Sequence, residues 1–202
     1  NRILKNITNT QEYDMLIVNG KQLTITGDLS FSGGSRVDAT AGGSIVVFSG
    51  SEIQNFSADA FLDNTVDYLN ISNNAGTFLS GNLTVTKTLT INAGSVLSVG
   101  SVSNLTVSGA LIDNGTLNLN SDAAGISSLM MNSYSGSGIA NIDMFLTGGG
   151  VPNYKWHYLA VPATLNNKTI FTVIDPKSLL RYDDANIQDV AGYTSYDGWE
   201  WH

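Results

Sequence analysis

The sequence predicts an all-β chain, a right-handed parallel β-helix with three short strands in each coil of about 20–22 residues, followed by a small β module. Three observations predict it. Apolar-polar-apolar triplets recur at a fixed spacing, Gly and Asn punctuate them, and charged residues are scarce at 13%, against roughly 25% in an ordinary globular domain. With 21 Gly and many Ser, Thr and Asn, the chain has the make-up of short strands and frequent turns rather than solvated helices.

The repeat is clearest between Leu83 and Leu119. Leu83-Thr84-Val85, Leu89-Thr90-Ile91 and Leu97-Ser98-Val99 are answered by Leu105-Thr106-Val107, Leu111-Ile112 and Leu117-Asn118-Leu119, with offsets of 22, 22 and 20 residues. Each triplet offers two inward side chains and one outward polar one, and by itself is too short to hold together. Stacked on the equivalent triplet of the next coil, it gains a hydrogen-bond ladder and a column of aligned Leu, Val and Ile. Gly81-Asn82, Asn92-Ala93-Gly94-Ser95, Gly109 and Asn114-Gly115 stand where the chain turns a corner, and both residue types tolerate left-handed backbone there. Right-handedness follows from the general preference of parallel crossovers.

Upstream, a looser version of the pattern gives strands at Leu23-Thr24-Ile25, Leu29-Ser30-Phe31, Ile45-Val46-Val47-Phe48, Leu69-Asn70-Ile71 and Thr77-Phe78-Leu79, with corners at Gly27, Gly33-Gly34, Gly42-Gly43, Gly50 and Gly76. Segment 53–67 holds Phe56, Phe61 and Leu62 without a clean period and reads as a loop or a distorted turn of the solenoid. Downstream the texture changes. Gly148-Gly149-Gly150-Val151-Pro152 reads as a hinge, and all three Trp and both His lie beyond it. The expected domains are therefore a β-solenoid over 1–148 and an aromatic-rich β module over 149–202, cut short at its end.

Runs such as Gly81-Asn82-Leu83-Thr84-Val85-Thr86-Lys87-Thr88-Leu89-Thr90-Ile91-Asn92-Ala93-Gly94-Ser95 and Asp113-Asn114-Gly115-Thr116-Leu117-Asn118-Leu119 resemble the repeat regions of large surface proteins exported by the type IX secretion system of Bacteroidota. In those proteins an aromatic-rich segment often follows the solenoid. Trp156-His157-Tyr158-Leu159-Ala160-Val161-Pro162 looks like its opening, and Leu180-Arg181-Tyr182-Asp183 with Asp197-Gly198-Trp199 like its continuation. The resemblance implies an exported, surface-attached or secreted protein of adhesive or structural role. The C-terminal sorting domain of such proteins is not visible in the sequence.

Composition excludes several chemistries. The chain has no Cys, so disulfides, thiolate metal sites and cysteine nucleophiles are absent. A net charge of −8 with scattered Lys and Arg leaves no basic stripe for a phosphate backbone, so nucleic acid is not expected as a partner. No apolar run approaches the ~20 residues that span a bilayer. Asn1-Arg2-Ile3-Leu4 has neither an initiator Met nor a signal-peptide profile, as expected of a piece of a longer chain.

Polysaccharide-cleaving enzymes also use parallel β-helices, and their sites need converging carboxylates. Between residues 81 and 120 the only charged residues are Lys87 and Asp113, which is no catalytic cluster, and no Ser sits in a Gly-x-Ser-x-Gly elbow. The chain is therefore expected not to be an enzyme and to need no cofactor. Calcium is the one ion for which oxygens are on offer, from Asp63 and Asp67 or from Asp183 and Asp184 with Asp189, although neither group has the spacing of a calcium loop. Solvated turn carboxylates are the competing reading. Trp156, Tyr158, Trp199 and Trp201 form either a sugar-stacking platform or the core of a small module, and His157 reads as a packing residue. Seven Asn-x-Ser/Thr sequons, at Asn6, Asn55, Asn70, Asn82, Asn104, Asn114 and Asn167, read as the by-product of Asn corners before Thr-bearing strands. Such Asn side chains would bond along the stack and hold its register.

The function expected is thus a non-catalytic structural or adhesive segment of a large extracellular surface protein. Its expected partners are other parts of the same chain, surface or secretion-machinery proteins, and surface glycans. The alternative is a carbohydrate-binding or polysaccharide-degrading β-helix, and a third possibility is association through uncapped coil ends.

Overall fold

The computed structural model describes residues 2–9, 13–31, 33–145, 180–182 and 199–201. The chain divides into two compact units, Asn1–Tyr154 and Lys155–His202. The hinge expected at 148–152 lies outside the described residues.

The first unit is a parallel β-solenoid of about six turns. The chain enters through β1 (Arg2–Leu4) and β2 (Ile7–Asn9). Coil one is β3 (Met15–Ile17), β4 (Gln22–Ile25) and β5 (Leu29–Phe31), and coil two is β6 (Arg36–Ala39), β7 (Ile45–Phe48) and β8 (Gln54–Ser57). After a 3-10 turn at Ala58–Ala60, coil three is β9 (Phe61–Ile71) with β10 (Thr77–Ser80), and coil four is β11 (Leu83–Ile91) with β12 (Val96–Val99). Coil five is β13 (Asn104–Asp113) with β14 (Thr116–Leu119). A hairpin of β15 (Ser121–Asp122) and β16 (Gly125–Ile126) then leads to coil six, β17 (Ser128–Ser135) with β18 (Ile139–Ile142).

The ladder follows the sequence offsets. Leu83 pairs with Leu105 and Leu89 with Leu111 on β11 and β13, and Leu97 pairs with Leu117 on β12 and β14. Three faces are present, but they form two sheets. β3 and β6 are separate from β4 and β7, whereas from coil three onward the first two faces share one bent strand. The bend is short because Val85 and Thr88 both still pair, and Gly109 sits on it where a Cβ would come 1.8 Å from the Lys87 carbonyl oxygen. A closely nested corner therefore needs glycine.

Alternation of inward and outward residues places the core. Leu23, Val46, Leu69, Leu89 and Leu111 form one column, and Ile25, Phe48, Ile71 and Ile91 form the next. All nine are buried, and each such side chain contributes about 1.5–3 kcal/mol by leaving water.

Segment 53–67 is not a loop. It contains β8, the 3-10 turn and the first half of β9, with Phe56 and Phe61 buried in the core. The distortion expected there is real and local. Val37 and Ala39, two residues apart, pair with Phe61 and Val66, five residues apart. The surplus bulges outward at Asp63 and Asn64, both exposed and both with positive φ, 51° and 52°. This insertion is what removed the period from the sequence.

In the second unit the described residues form an antiparallel pair, β19 (Leu180–Tyr182) and β20 (Trp199–Trp201). Leu180 lies opposite Trp201 and Tyr182 opposite Trp199.

Candidate functional site

Of the residues singled out in the sequence, Trp156, Tyr158, Asp183 and Asp184 lie outside the described residues, as do Asp189, His157 and His202. Trp199 and Trp201 belong to β20 and fall at ladder positions opposite Tyr182 and Leu180.

Asp63 and Asp67 sit in unlike settings. Asp63 is exposed on the bulge, and its backbone carbonyl accepts the Thr65 hydroxyl at 2.9 Å. Asp67 is buried at the bend between the first and second faces. One of its oxygens accepts the Gly43 amide of coil two at 2.7 Å, and the other accepts the Thr86 hydroxyl of coil four at 2.6 Å. The Asp67 carboxylate thus clamps three successive coils. Among the described residues no group of three or more His, Asp or Glu side chains is placed to hold a metal ion.

A second buried clamp lies where the second face turns into the third. Gln54 donates to the carbonyls of Ile25 and Gly27 at 3.0 and 2.6 Å, and its oxygen accepts the Gly50 amide at 2.7 Å and the Asn73 side-chain amide at 2.9 Å. Asn73 also donates to the Glu52 carbonyl and accepts the Ala75 and Gly76 amides. Both side chains are buried and every one of their polar atoms is used, as burial without cost requires.

The outward positions and corners carry ladders of small polar residues. Asn104 bonds to Asn82 through its backbone amide at 3.0 Å and its side chain at 2.9 Å, and the Ser128 hydroxyl donates on to Asn104. On the third face Asn118 donates to Ser98 at 3.0 Å and Asn141 to Asn118 at 2.9 Å. Asn92 donates to Ser72 at 2.6 Å. Corner serines bond back one coil, Ser44 to the Gly20 amide and Ser103 to the Gly81 amide, both at 2.9 Å. On the first face Thr65, Thr84 and Thr106 pair in a row. The expected role of corner asparagines in holding register is realised at Asn82, Asn92 and Asn104.

Three carboxyls are tuned by their surroundings. The Thr40 hydroxyl and amide hold the Asp38 carboxyl below its ordinary range, and the Ser101 hydroxyl, with the Ala124 amide, does the same for Asp122. The Thr40 bonds close a local turn on half-buried Asp38, whereas the Ser101 bond reaches exposed Asp122 from the preceding coil, 21 residues away. Asp113 is the opposite case: burial pushes its carboxyl up, against the partial relief of the Gly115 amide bond.

Fold and surface together define a β-solenoid of stacked, register-locked coils whose described outward rows are rich in Thr, Asn and Ser. No protein-family model, no curated protein and no solved structure matches the chain.

Proposed function

We propose that the chain is a non-catalytic structural and adhesive segment of a large secreted bacterial surface protein, exported by a type IX secretion system. One observation carries this reading: small polar side chains at the solenoid's corners and outward positions are bonded from coil to coil, from Asn82 through Asn104 to Ser128 and from Ser98 through Asn118 to Asn141. Such ladders spend polar groups on maintaining the stack and leave a repetitive hydroxyl- and amide-bearing surface. That surface suits broad, weak, multivalent contact with glycans or neighbouring surface proteins. The sequence resemblance supplies the export route and the extracellular location.

Brief protease treatment of intact source cells, with mass spectrometry of the released peptides, tests the proposal. Release of solenoid peptides together with those of a longer chain is the expected result. Recovery only from the cytosolic fraction would sink the proposal.

A second reading, carbohydrate binding by the aromatic segment, is favoured by the pairing that sets Trp199 across from Tyr182. Binding of the intact chain to a polysaccharide panel, lost in a Trp199→Ala, Trp201→Ala double variant, would support it.

A further inference from the structure

The apolar column Ile25–Phe48–Ile71–Ile91 does not continue into coil five, where the residue paired with Ile91 is Asp113. Its side chain is fully buried. One carboxyl oxygen accepts the Gly115 amide at 3.0 Å, while the other is buried with no hydrogen-bond partner. An unpaired buried carboxylate oxygen is among the costliest groups a core can hold, and protonation removes most of that cost.

The cover over Asp113 is the turn between β17 and β18. Ile112 pairs with Ser135, so Gly136 follows over Asp113, and the Gly138 amide donates to the Asp113 carbonyl at 2.8 Å. A Cβ on Gly136 would lie 1.9 Å from that carbonyl oxygen, and one on Gly138 would lie 2.4 and 2.8 Å from the two carboxyl oxygens. Bare backbone is therefore laid flat on the acid. Coil six is laddered to coil five along β17 and β18, but its inward side chains are poorly covered. Leu129, Met131, Tyr134 and Ile142 continue inward positions of coil five, yet Met131, Tyr134 and Ile142 remain 47–48% exposed.

Among the described residues of the elements packed on Asp113, no cation compensates the acid. β12, β14, β17, β18 and the 136–138 turn contain no Asp, Glu, Lys, Arg or His, and Tyr134 is the other titratable side chain among them. Lys87, on β11, is exposed at the bend.

We propose that coil six is a pH-gated cover, fastened to the stack when Asp113 is protonated and loosened when it ionises. The direction follows from linkage. The closed coil holds the proton more firmly than the open one, so fastening is complete below the ordinary carboxyl value of 3.8 and is lost as pH rises through the higher value of the closed state. Above that range the opening equilibrium has grown roughly tenfold for each unit separating the two values. Opening bares the ladder edges of β13 and β14, to which another strand could pair.

Hydrogen exchange on the full chain at about pH 4 and about pH 7, corrected for intrinsic rates, tests this. In the wild type, protection over Met130–Tyr134 and Ala140–Ile142 should fall at the higher pH, while Leu83–Ile91 stays constant. Asp113→Asn should abolish the difference, and Asp113→Ile, which restores the column residue, should do so with higher protection at both pH values. A flat wild-type profile, a fall shared equally by Leu83–Ile91, or a fall that persists in Asp113→Asn would each overturn the proposal.

Discussion

Coils two and three and coils four and five do the same job with different means. In coils four and five Leu stacks on Leu on every face and Val85 on Val107, at offsets of 22, 22 and 20 residues, and much of the register is held by repeated corner bonds such as Asn104 on Asn82. In coils two and three the core turns aromatic. Phe48 stacks on Phe56 with centroids 4.4 Å apart, and Phe61 meets Phe56 edge-on at 6.2 Å. There register depends on single buried clamps, Gln54 with Asn73 and Asp67, that reach 19 to 29 residues along the chain. Repetition lets each coil template the next and spreads stability over many equal interfaces. Where repetition fails, a few specific bonds take over, and stability is concentrated in them.

That contrast can be broken most severely at Phe48. Phe48→Ala should cost about 4 kcal/mol, read as a lowered urea midpoint by far-UV circular dichroism, because the stacked Phe56 cannot fill the void. Tryptophan fluorescence would be a poor probe, since all three Trp lie beyond residue 155. Gln54→Ala should follow at about 3 kcal/mol, leaving the Gly50 amide and the carbonyls of Ile25 and Gly27 without their side-chain partner. Asp67→Ala should cost about 2 kcal/mol and raise hydrogen exchange at Gly43, whose amide it binds. Asn104→Ala, in the repetitive half, should cost only about 1 kcal/mol, because neighbouring ladders share the load. If Asn104→Ala proved as damaging as Gln54→Ala, the contrast between distributed and concentrated stability would fail. The smallest effect should have the opposite sign. Val102, exposed at a corner, has φ 59°, a conformation that β-branched residues rarely adopt. Val102→Asn should raise the midpoint by the equivalent of about 1 kcal/mol.

How legible the fold was depended on the same contrast. The triplets from Leu83 to Leu119 predict register to the residue, because period-two alternation and an offset fixed on each face together leave one alignment. β6 escaped notice because Arg36 and Asp38 break the apolar texture, although Val37 and Ala39 keep the alternation and are buried. β8 and the start of β9 escaped because the Asp63–Asn64 bulge displaced Phe61 from Val66 by three extra residues. The clamps were harder still. Asp67 was visible as a carboxylate but not as the partner of Gly43 and Thr86, and Gln54 carried no local signal. In the sequence Asp113 stands out only as one of two charges between residues 81 and 120. Its place in the Ile25–Ile91 column, readable from the offset of 22 between Ile91 and Asp113, was the available clue.

The bulge at Asp63 and Asn64 has a consequence for engineering. Here the solenoid already carries extra residues, turned outward on exposed left-handed backbone, while Val66 and Leu69 return to the ladder in register. It is a ready-made socket. A foreign epitope or affinity peptide spliced between those two residues would be displayed from the side of the stack, its ends already held close together by the host backbone.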